Sequence, residues 1–336
     1  MSHYFSASNM SQNQTETDSL TWEDILAGSV LIAYGLTGLT IYGTVTVPVF
    51  KLARKLNGFK FLLSEALANN LLFIQFGLWT GLLILLRHDP LGEASRLYVV
   101  TICDFAWFAM SQHYPLIALS RLIAIKFPIW FKFSKAGLVY GLLAASYCFA
   151  LFQSLFLHFV VDWFSLFYFE PAHYGMVTAN WTEYSLGGTA QFWDAYHLTI
   201  IGLPVVMYSL AAYFLVKSSR STVRPDDNQS ESRSLSVEKR LLLPCAVNSV
   251  VFFLGEAAFK VAGVTGKWGT WLYSFIFLTN SFINPFLLIV FSSAVRGSIV
   301  QLFMGKNKRP GVGVTSLSKP HSNQISPTPK LSQRNG

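Results

Sequence analysis

Charge is what this sequence has least of. Only 12% of its 336 residues are Asp, Glu, Lys or Arg, whereas 52% are hydrophobic; a soluble domain usually carries about 25% charged residues. A water-soluble core could hold this many apolar residues, but it would not leave them in uninterrupted runs. The scarcity of charge therefore excludes an ordinary soluble protein and indicates a membrane protein. The runs without any charged side chain are Ile25–Phe50, Ala66–Leu86, Ala136–Val161, Ala195–Val216 and Trp268–Val295.

Two further apolar stretches carry very little charge. Leu97–Ser120 contains only Asp104, and Leu241–Gly266 contains only Glu256 and Lys260. Each of the seven stretches is long enough to cross a hydrocarbon layer ~30 Å thick at ~1.5 Å per helical residue. The sequence therefore predicts an all-α membrane protein, a seven-transmembrane helix bundle. The spans are expected at about residues 25–50, 60–86, 97–124, 136–161, 195–216, 241–266 and 268–292.

Cysteine is scarce as well. The three cysteines, Cys103, Cys148 and Cys245, all fall inside predicted spans, so none is placed to join outer loops by a disulfide. The histidines lack the paired spacing of a metal site, and neither a glycine-rich phosphate loop nor a nucleophile elbow occurs. We therefore predict no enzymatic activity, no bound metal and no cofactor.

The uneven distribution of basic residues predicts the orientation. Seven spans place the two termini on opposite sides, and all but four of the 25 Lys and Arg residues (Arg87, Arg96, Lys260 and Lys267) fall on the side of the C-terminus. The positive-inside rule puts that side in the cytoplasm and the N-terminus outside the plasma membrane. The formal net charge of +8 is thus a topology signal and does not indicate nucleic-acid binding.

The two terminal segments have different compositions. Residues 1–24 form a short polar tail, expected outside, with no cleavable signal peptide. Residues 296–309 alternate apolar and basic side chains, which predicts a short interfacial eighth helix. Residues 310–336 are rich in Ser, Pro, Gly and Lys, and we expect a disordered cytoplasmic tail there.

Four glycosylation sequons test this topology. Those at Asn9, Asn13 and Asn180 fall outside in the predicted arrangement, where they would be glycosylated. The fourth, at Asn228, falls inside and should stay unmodified. Sequons are short and occur by chance, so they support the orientation without carrying it.

Arg121 belongs to the most informative motif of the chain. It follows a long apolar run in "ALSRLIAIKFPIWFKFSK" (residues 118–135), at the inner end of the third span. "KLNGFKFLLSEALANNLL" (55–72) and "NSFINPFLLIVFSSAVR" (280–296) occupy the start of the second span and the end of the seventh. These stretches resemble rhodopsin-like G-protein-coupled receptors, most closely nematode serpentine chemoreceptors of class x. The resemblance covers all seven spans in order.

The chain departs from the usual receptor pattern at several positions. Ser120 replaces the acidic residue before Arg121, and Leu288 replaces the tyrosine of the Asn-Pro-x-x-Tyr motif. Asn69 stands where the family has a sodium-binding aspartate, which predicts a weak or absent sodium site. Arg96 stands in place of the usual cysteine of helix three, so the disulfide that pins the second outer loop is missing.

The resemblance implies a switch at the inner face of the bundle. An arginine at an apolar helix end is either a snorkelling side chain or a functional group, and the resemblance favours the second. We expect Arg121 to pair in the resting state with Glu238 at the base of the sixth span, because its own neighbour carries no charge. The residues implied in G-protein coupling or switching are Ser120, Arg121, Pro128, Glu238, Asn284 and Pro285.

Charged side chains in the outer halves of the spans are candidates for ligand binding. Asp104 is expected near the outer end of the third span, where it either contacts a ligand or turns toward water or Arg96. Glu256 and Lys260 are four residues apart and should pair, either to ease burial of both charges or as a polar pocket wall. Trp107 is a further ligand-binding candidate.

The second outer loop, residues 162–194, is crowded with aromatic side chains. Exposed apolar surface of this density usually covers something. The segment "FSLFYF" (164–169) either folds down as a lid over the mouth of the bundle or lies in the membrane interface. A lid would suit small apolar ligands, and Phe167 and Phe169 are therefore ligand-binding candidates.

The resemblance implies a chemosensory receptor that binds a small molecule from outside and activates a heterotrimeric G-protein. Phosphorylation of the third inner loop or the tail would bring in arrestin as a further partner. Two alternatives stay open. A transporter or channel would need a polar route across the bilayer, for which Glu65, Asp104, Glu256 and Lys260 are the available charges. A receptor-like partner subunit would keep the fold and lack coupling.

Overall fold

The structure is a computed structural model that describes residues 19–178, 180–221, 241–255, 257 and 266–304. Two compact units, Met1–Ile299 and Val300–Gly336, make up the chain. The first unit contains a bundle of long helices and one β-hairpin. The predicted disordered tail, residues 310–336, lies outside the described residues.

Helices account for most of the described chain. Their bounds are Trp22–Ala53 (α1), Asn57–Leu86 (α2), Arg96–Lys126 (α3), Ala136–Phe159 (α4), Gly188–Ser221 (α5), Leu241–Gly255 (α6), Gly266–Phe291 (α7) and Ser293–Met304 (α8). Within this part of the chain α1, α2, α4, α5 and α7 are long and apolar enough to cross a membrane. Helix α3 is equally long but more polar, and α6 is an apolar helix of lesser length.

The start of α1 is fixed by a reciprocal cap. The Thr21 hydroxyl accepts a hydrogen bond from the backbone N–H of Asp24 at 3.3 Å, and the Asp24 carboxylate accepts one from the backbone N–H of Thr21 at 2.9 Å. Two backbone donors that a helix N-terminus would leave unpaired are thereby satisfied. The cap also holds the Asp24 carboxylate in a fixed position at this end of the bundle.

Glycines allow α1 and α2 to pack closely. A Cβ atom added to Gly77 would lie 2.8 Å from the Gly35 Cα, and one added to Gly28 would lie 2.7 Å from the Gly81 carbonyl oxygen. Backbone approach of this kind needs residues without side chains, as is common between helices in membranes. Gly77 belongs to a π-helical turn, Phe73–Trp79, that interrupts α2.

Helix α3 lies at the centre of the bundle and packs against α2, α4 and α5. Pro115 falls inside α3 without ending it. Polar contacts along its length tie it to α4: the Ser154 hydroxyl donates to the Thr101 carbonyl at 2.6 Å, and the Gln112 and Gln153 amides are 3.1 Å apart. Such interhelical hydrogen bonds stabilise helix packing where water is absent.

A two-stranded antiparallel hairpin follows α4. Its strands are Phe167–Glu170 (β1) and Gly175–Thr178 (β2), with Phe167 opposite Thr178 and Glu170 opposite Gly175. β1 packs against α3 and β2 against α7. The contact between β2 and α7 requires a glycine at position 175, because a Cβ atom on Gly175 would lie 2.6 Å from the Thr270 carbonyl oxygen.

Two apolar clusters fill the interior of the bundle. One lies beside the hairpin and the other lies near Arg121. We call these two regions the hairpin end and the Arg121 end. Outside the clusters, large apolar side chains such as Phe149, Phe152 and Val205 are exposed on α4 and α5. An apolar outer surface of this kind is what a helix facing hydrocarbon needs.

Candidate functional site

A cavity of about 380 Å³ opens at the hairpin end, between α2, α3, α5, α7 and the hairpin. Its volume lies within the ~300–1,000 Å³ typical of small-molecule sites. Aromatic rings form most of its wall. The described lining residues are Phe76, Cys103, Asp104, Trp107, Phe164, Ser165, Phe167, Met176, Trp181, Tyr184, Ser185, Ala190, Trp193, Asp194, His197, Tyr273 and Phe277.

Asp104 lines this cavity from α3. Its Oδ2 atom lies 2.8 Å from Nε2 of His158 on α4, and the His158 side chain is only 1% exposed. Arg96, which was one of the expected partners of Asp104, pairs instead with Glu93 and Glu170. His158 thus orients the Asp104 carboxylate, a contact that the apolar α4 sequence gave no reason to expect.

Trp107 lies one turn along α3 from Asp104 and also lines the cavity. Its ring centroid is 4.4 Å from that of Phe277 on α7 and 5.7 Å from that of Phe252 on α6. Aromatic pairs at such spacings contribute beyond their buried area. Trp107 therefore joins three helices at the floor of the site.

The two aromatic residues expected to contact a ligand from the loop have different surroundings. Phe167 lines the cavity and stacks on Tyr184, with ring centroids 5.0 Å apart. Phe169 points into the core, 5.7 Å from the ring of Phe76, and is not among the lining residues. Phe167 therefore faces the cavity, and Phe169 anchors the hairpin.

Arg96 holds the hairpin on the side of α3. Its Nη2 atom is 3.4 Å from Oε2 of Glu170 in β1, and its guanidinium carbon lies 4.9 Å above the ring of Tyr168. The chain has no disulfide here, since Cys103, Cys148 and Cys245 are all free. A side chain at the position of the usual cysteine thus holds the same loop without a covalent bond.

Tyr174 holds the hairpin on the side of α1 and α7. Its hydroxyl donates to the Asp24 carboxylate at 2.5 Å, and Nζ of Lys267 lies 5.1 Å above its ring. Arg87 at the end of α2 lies 3.7 Å from the same carboxylate. Burial, and then the Asp24 carboxylate, raise the pKa of the Tyr174 phenol above its usual value, so the phenol stays protonated and can donate.

At the other end of the bundle, Arg121 is completely buried. Its Nη2 atom donates to the Gly58 carbonyl at 3.0 Å. Ser120 turns its hydroxyl back to the Ile117 carbonyl at 2.7 Å, and Pro128 begins the short helix Pro128–Phe133. A snorkelling side chain would bring its charge to water, whereas the Arg121 guanidinium is buried within the bundle.

Glu65 on α2 belongs to the same buried region and is 1% exposed. The Asn248 amide of α6 donates to its Oε1 atom at 3.2 Å, and Arg121 and Asn284 are close enough to act on its carboxylate electrostatically. Asn284 and Pro285 lie together on the inward face of α7. The sequence motifs pointed to Arg121 and Asn284 but not to Glu65 as their common neighbour.

Asn180 is exposed and caps the short helix Trp181–Leu186, where its Oδ1 atom accepts from the Glu183 backbone N–H at 3.1 Å. This contact uses the amide oxygen and leaves the amide nitrogen, the atom to which a glycan is attached in a used sequon, out of the cap. The other expected residues, Asn9, Asn13, Glu238, Glu256 and Lys260, lie outside the described residues.

Comparisons with known proteins place the chain in a family. The family model for the serpentine type 7TM GPCR chemoreceptor Srx matches residues 32–291. The crystal structure of squid rhodopsin matches with a TM-score of 0.65 at 15% sequence identity, over 83% of this chain and 81% of that one, which shows a common fold. No curated protein matches in sequence.

These findings confirm the class x chemoreceptor family that the motifs of the sequence resemble, a family of receptors and not of enzymes. They also make the chain a multi-pass membrane protein, consistent with its apolar helices. The chain belongs to the Srx family of serpentine seven-transmembrane G-protein-coupled chemoreceptors.

Proposed function

We propose that the chain crosses the plasma membrane seven times through α1 to α7, with the N-terminus outside, the C-terminus in the cytoplasm and α8 at the inner interface. In this arrangement the hairpin end faces outward and the Arg121 end faces the cytoplasm. The cavity then receives a small molecule from outside, and the Arg121 end activates a heterotrimeric G-protein. Arrestin is a further partner at the same inner face.

The observation that carries this proposal is the separation of the two sites on one helix. α3 presents Asp104 and Trp107 to the cavity and places Arg121 in the buried polar cluster at its other end. Asp104 and Arg121 are about 26 Å apart at ~1.5 Å per residue. A single helix therefore connects a ligand-sized cavity to the residues to which the sequence resemblance assigns a role in coupling.

The buried cluster supports a resting conformation. Arg121 is bonded to the Gly58 carbonyl and lies near Glu65, so its guanidinium is out of reach of a partner protein. The hydrogen bond from Asn248 to Glu65 holds α6 to α2 in this state. A ligand that binds a second packing of the helices more tightly would shift the population toward it and free the inner face.

Nucleotide exchange on a panel of purified heterotrimeric G-proteins tests the proposal. We expect the wild-type chain to accelerate exchange on at least one heterotrimer, and Arg121→Ala to abolish this. Arg54→Ala is the matched control, because Arg54 is an exposed arginine beyond α1 that stacks on Phe50. Equal exchange by wild type and Arg121→Ala, with both chains correctly folded, would refute the coupling role.

Glycan mapping tests the orientation separately. We expect endoglycosidase-sensitive modification at Asn9, Asn13 and Asn180 and none at Asn228. An Asn→Gln variant at any one of the first three positions should lose one glycan, and the protein should migrate faster on a gel by the corresponding mass. Modification at Asn228, with none at Asn180, would show that the chain has the opposite orientation in the membrane.

A further inference from the structure

Lys60, in the first turn of α2, is a buried cation without an acidic partner. It is 8% exposed, and its Nζ atom donates to Oδ1 of Asn57 at 2.7 Å and lies 5.3 Å from the centre of the Tyr140 ring. Both partners are neutral, and within the described chain Lys60 forms no ion pair. Among the described acidic residues only Glu65 lies at the Arg121 end, where it is close to Arg121 instead. A buried ammonium group is costly unless an anion balances its charge.

Lys60 lies where α2, the short helix Pro128–Phe133 and the start of α4 meet, a region that we call the α2–α4 junction. Asn57 connects these elements, since its Nδ2 atom donates to the Ser134 hydroxyl at 2.9 Å. Helix α4 begins directly after Lys135, which is exposed, and no side chain caps this helix N-terminus. An uncapped helix N-terminus adds partial positive charge and backbone donors to those of the lysines. The junction therefore presents positive charge that no described acid balances.

Exposed aromatic side chains lie on the same segments. Trp130 and Phe133 of the short helix and Tyr140 of α4 are each more than half exposed, and Lys132 is exposed between the first two in sequence. Aromatic and basic side chains together are typical of the level at which hydrocarbon meets lipid headgroups. A free phosphate ion would leave these rings uncovered, whereas the chains of a lipid would cover them. Charge and apolar surface thus favour a lipid with a negative headgroup.

We propose that the α2–α4 junction binds an anionic lipid whose headgroup ends in a phosphate monoester. An ammonium group has three donors, and Lys60 offers the phosphate those that Asn57 leaves over. Lys135 and the start of α4 add positive charge, and the exposed aromatic rings lie against the lipid chains. A phosphate monoester suits several donors, because it carries a charge of about −1.5 to −2 and three acceptor oxygens. Neither the cavity at the hairpin end nor the coupling role of Arg121 enters this inference.

Four probes separate the contributions of charge, monoester and lipid chains. They are dioctanoyl phosphatidic acid (a monoester), dioctanoyl phosphatidylglycerol (a charged diester), dioctanoyl phosphatidylcholine (a diester without net charge) and glycerol 3-phosphate (the monoester without chains). Native mass spectrometry of the purified full chain in a non-ionic detergent counts the bound probe molecules and gives their dissociation constants. We expect phosphatidic acid to bind about tenfold more tightly than phosphatidylglycerol, as for one additional charge-assisted hydrogen bond. Phosphatidylcholine and glycerol 3-phosphate should bind more weakly than either.

Three variants locate the site. Lys60→Gln should remove the preference for phosphatidic acid over phosphatidylglycerol, whereas Lys51→Gln, at an exposed lysine in the last turn of α1, should leave it intact. Both variants remove one positive charge, so the comparison separates a local site from general attraction. Lys135→Gln changes an exposed side chain whose loss does not endanger folding, and we expect it to weaken the binding of phosphatidic acid about threefold, as for an exposed charge pair.

Equal binding of phosphatidic acid and phosphatidylglycerol by the wild-type chain would overturn the inference, and so would a preference that folded Lys60→Gln retains. Should Lys60→Gln fail to fold, binding of phosphatidic acid by Lys135→Gln as tight as that by wild type would overturn it. Glycerol 3-phosphate that binds as tightly as phosphatidic acid would show a site for free phosphate and not for a lipid. None of these measurements involves a G-protein, so their outcome is independent of the nucleotide-exchange result.

Discussion

Replacing Tyr174 by Phe removes one hydroxyl from the contact that holds the hairpin to α1. The ring keeps its place, because it packs edge-on against Trp268 and under the Lys267 ammonium. What is lost is a 2.5 Å hydrogen bond to the buried Asp24 carboxylate. Among the described residues, Asp24 keeps its contacts with the Thr21 backbone N–H at 2.9 Å and with Arg87 at 3.7 Å.

The expected size of the effect depends on the charge of the acceptor. A hydrogen bond to a charged group contributes about 1.5–3 kcal/mol, which corresponds to a change of about 10- to 150-fold in an equilibrium constant. The hairpin should therefore open more often in Tyr174→Phe by about that factor, while the helices at the Arg121 end are unaffected.

Hydrogen exchange followed by mass spectrometry measures this directly for peptides that cover residues 167–178. Amide protection reports the free energy of local opening. Tyr98→Phe is the matched control, because Tyr98 is 61% exposed and its described contact is a ring contact with Phe159. Hairpin exchange in Tyr174→Phe equal to that in wild type and Tyr98→Phe would refute the view that this hydrogen bond holds the hairpin in place.

Three further predictions concern other contacts of the bundle. Gly77→Ala should lower the melting temperature, at a cost of about 1–3 kcal/mol for overpacking against α1, whereas Gly141→Ala should not, since nothing lies within 4 Å of its added Cβ; equal melting of the two variants would contradict the close packing. Asn248→Leu removes the donor to the buried carboxylate of α2 and should raise basal nucleotide exchange about fivefold, for a loss of about 1 kcal/mol; unchanged exchange would mean that this bond does not restrain α6. Arg96→Ala and Glu170→Ala should each speed hairpin exchange, with a coupling of about 0.5–1 kcal/mol between them because the pair is partly exposed; strictly additive effects would deny the ion pair any role.

Long apolar runs and a few motifs were sufficient to predict the family. A stretch without charged residues that is long enough to cross a membrane can be recognised from the sequence alone. Such stretches correspond to α1, α2, α4, α5 and α7. Helix α3 is more polar than these five helices, since it carries Arg96, Asp104, Arg121 and Lys126. For that helix, the low charge of Leu97–Ser120 predicted the span, and the resemblance of the segment around Arg121 supported it.

The contacts of the two sites depended on tertiary structure and were not predictable. His158 lies in an apolar helix, 54 residues from Asp104, and nothing local marks the pair. Glu65 was visible as an acid within an apolar segment, but its approach to Asn248 depends on how α2 and α6 cross. Phe167 and Phe169 are two residues apart and so lie on the same face of β1. Their positions along the strand, which the sequence does not reveal, decide that Phe167 lines the cavity and Phe169 packs against Phe76.

Isolation of a receptor–G-protein complex would test the proposed coupling without any knowledge of the ligand. The purified chain would be mixed with heterotrimers freed of nucleotide and passed through a size-exclusion column, with and without a non-hydrolysable GTP analogue. We expect the wild-type chain to co-elute with at least one heterotrimer, the GTP analogue to dissociate the complex, and Arg121→Ala to form none. Co-elution with no heterotrimer, or a complex indifferent to guanine nucleotide, would contradict the coupling of this chain to a G-protein.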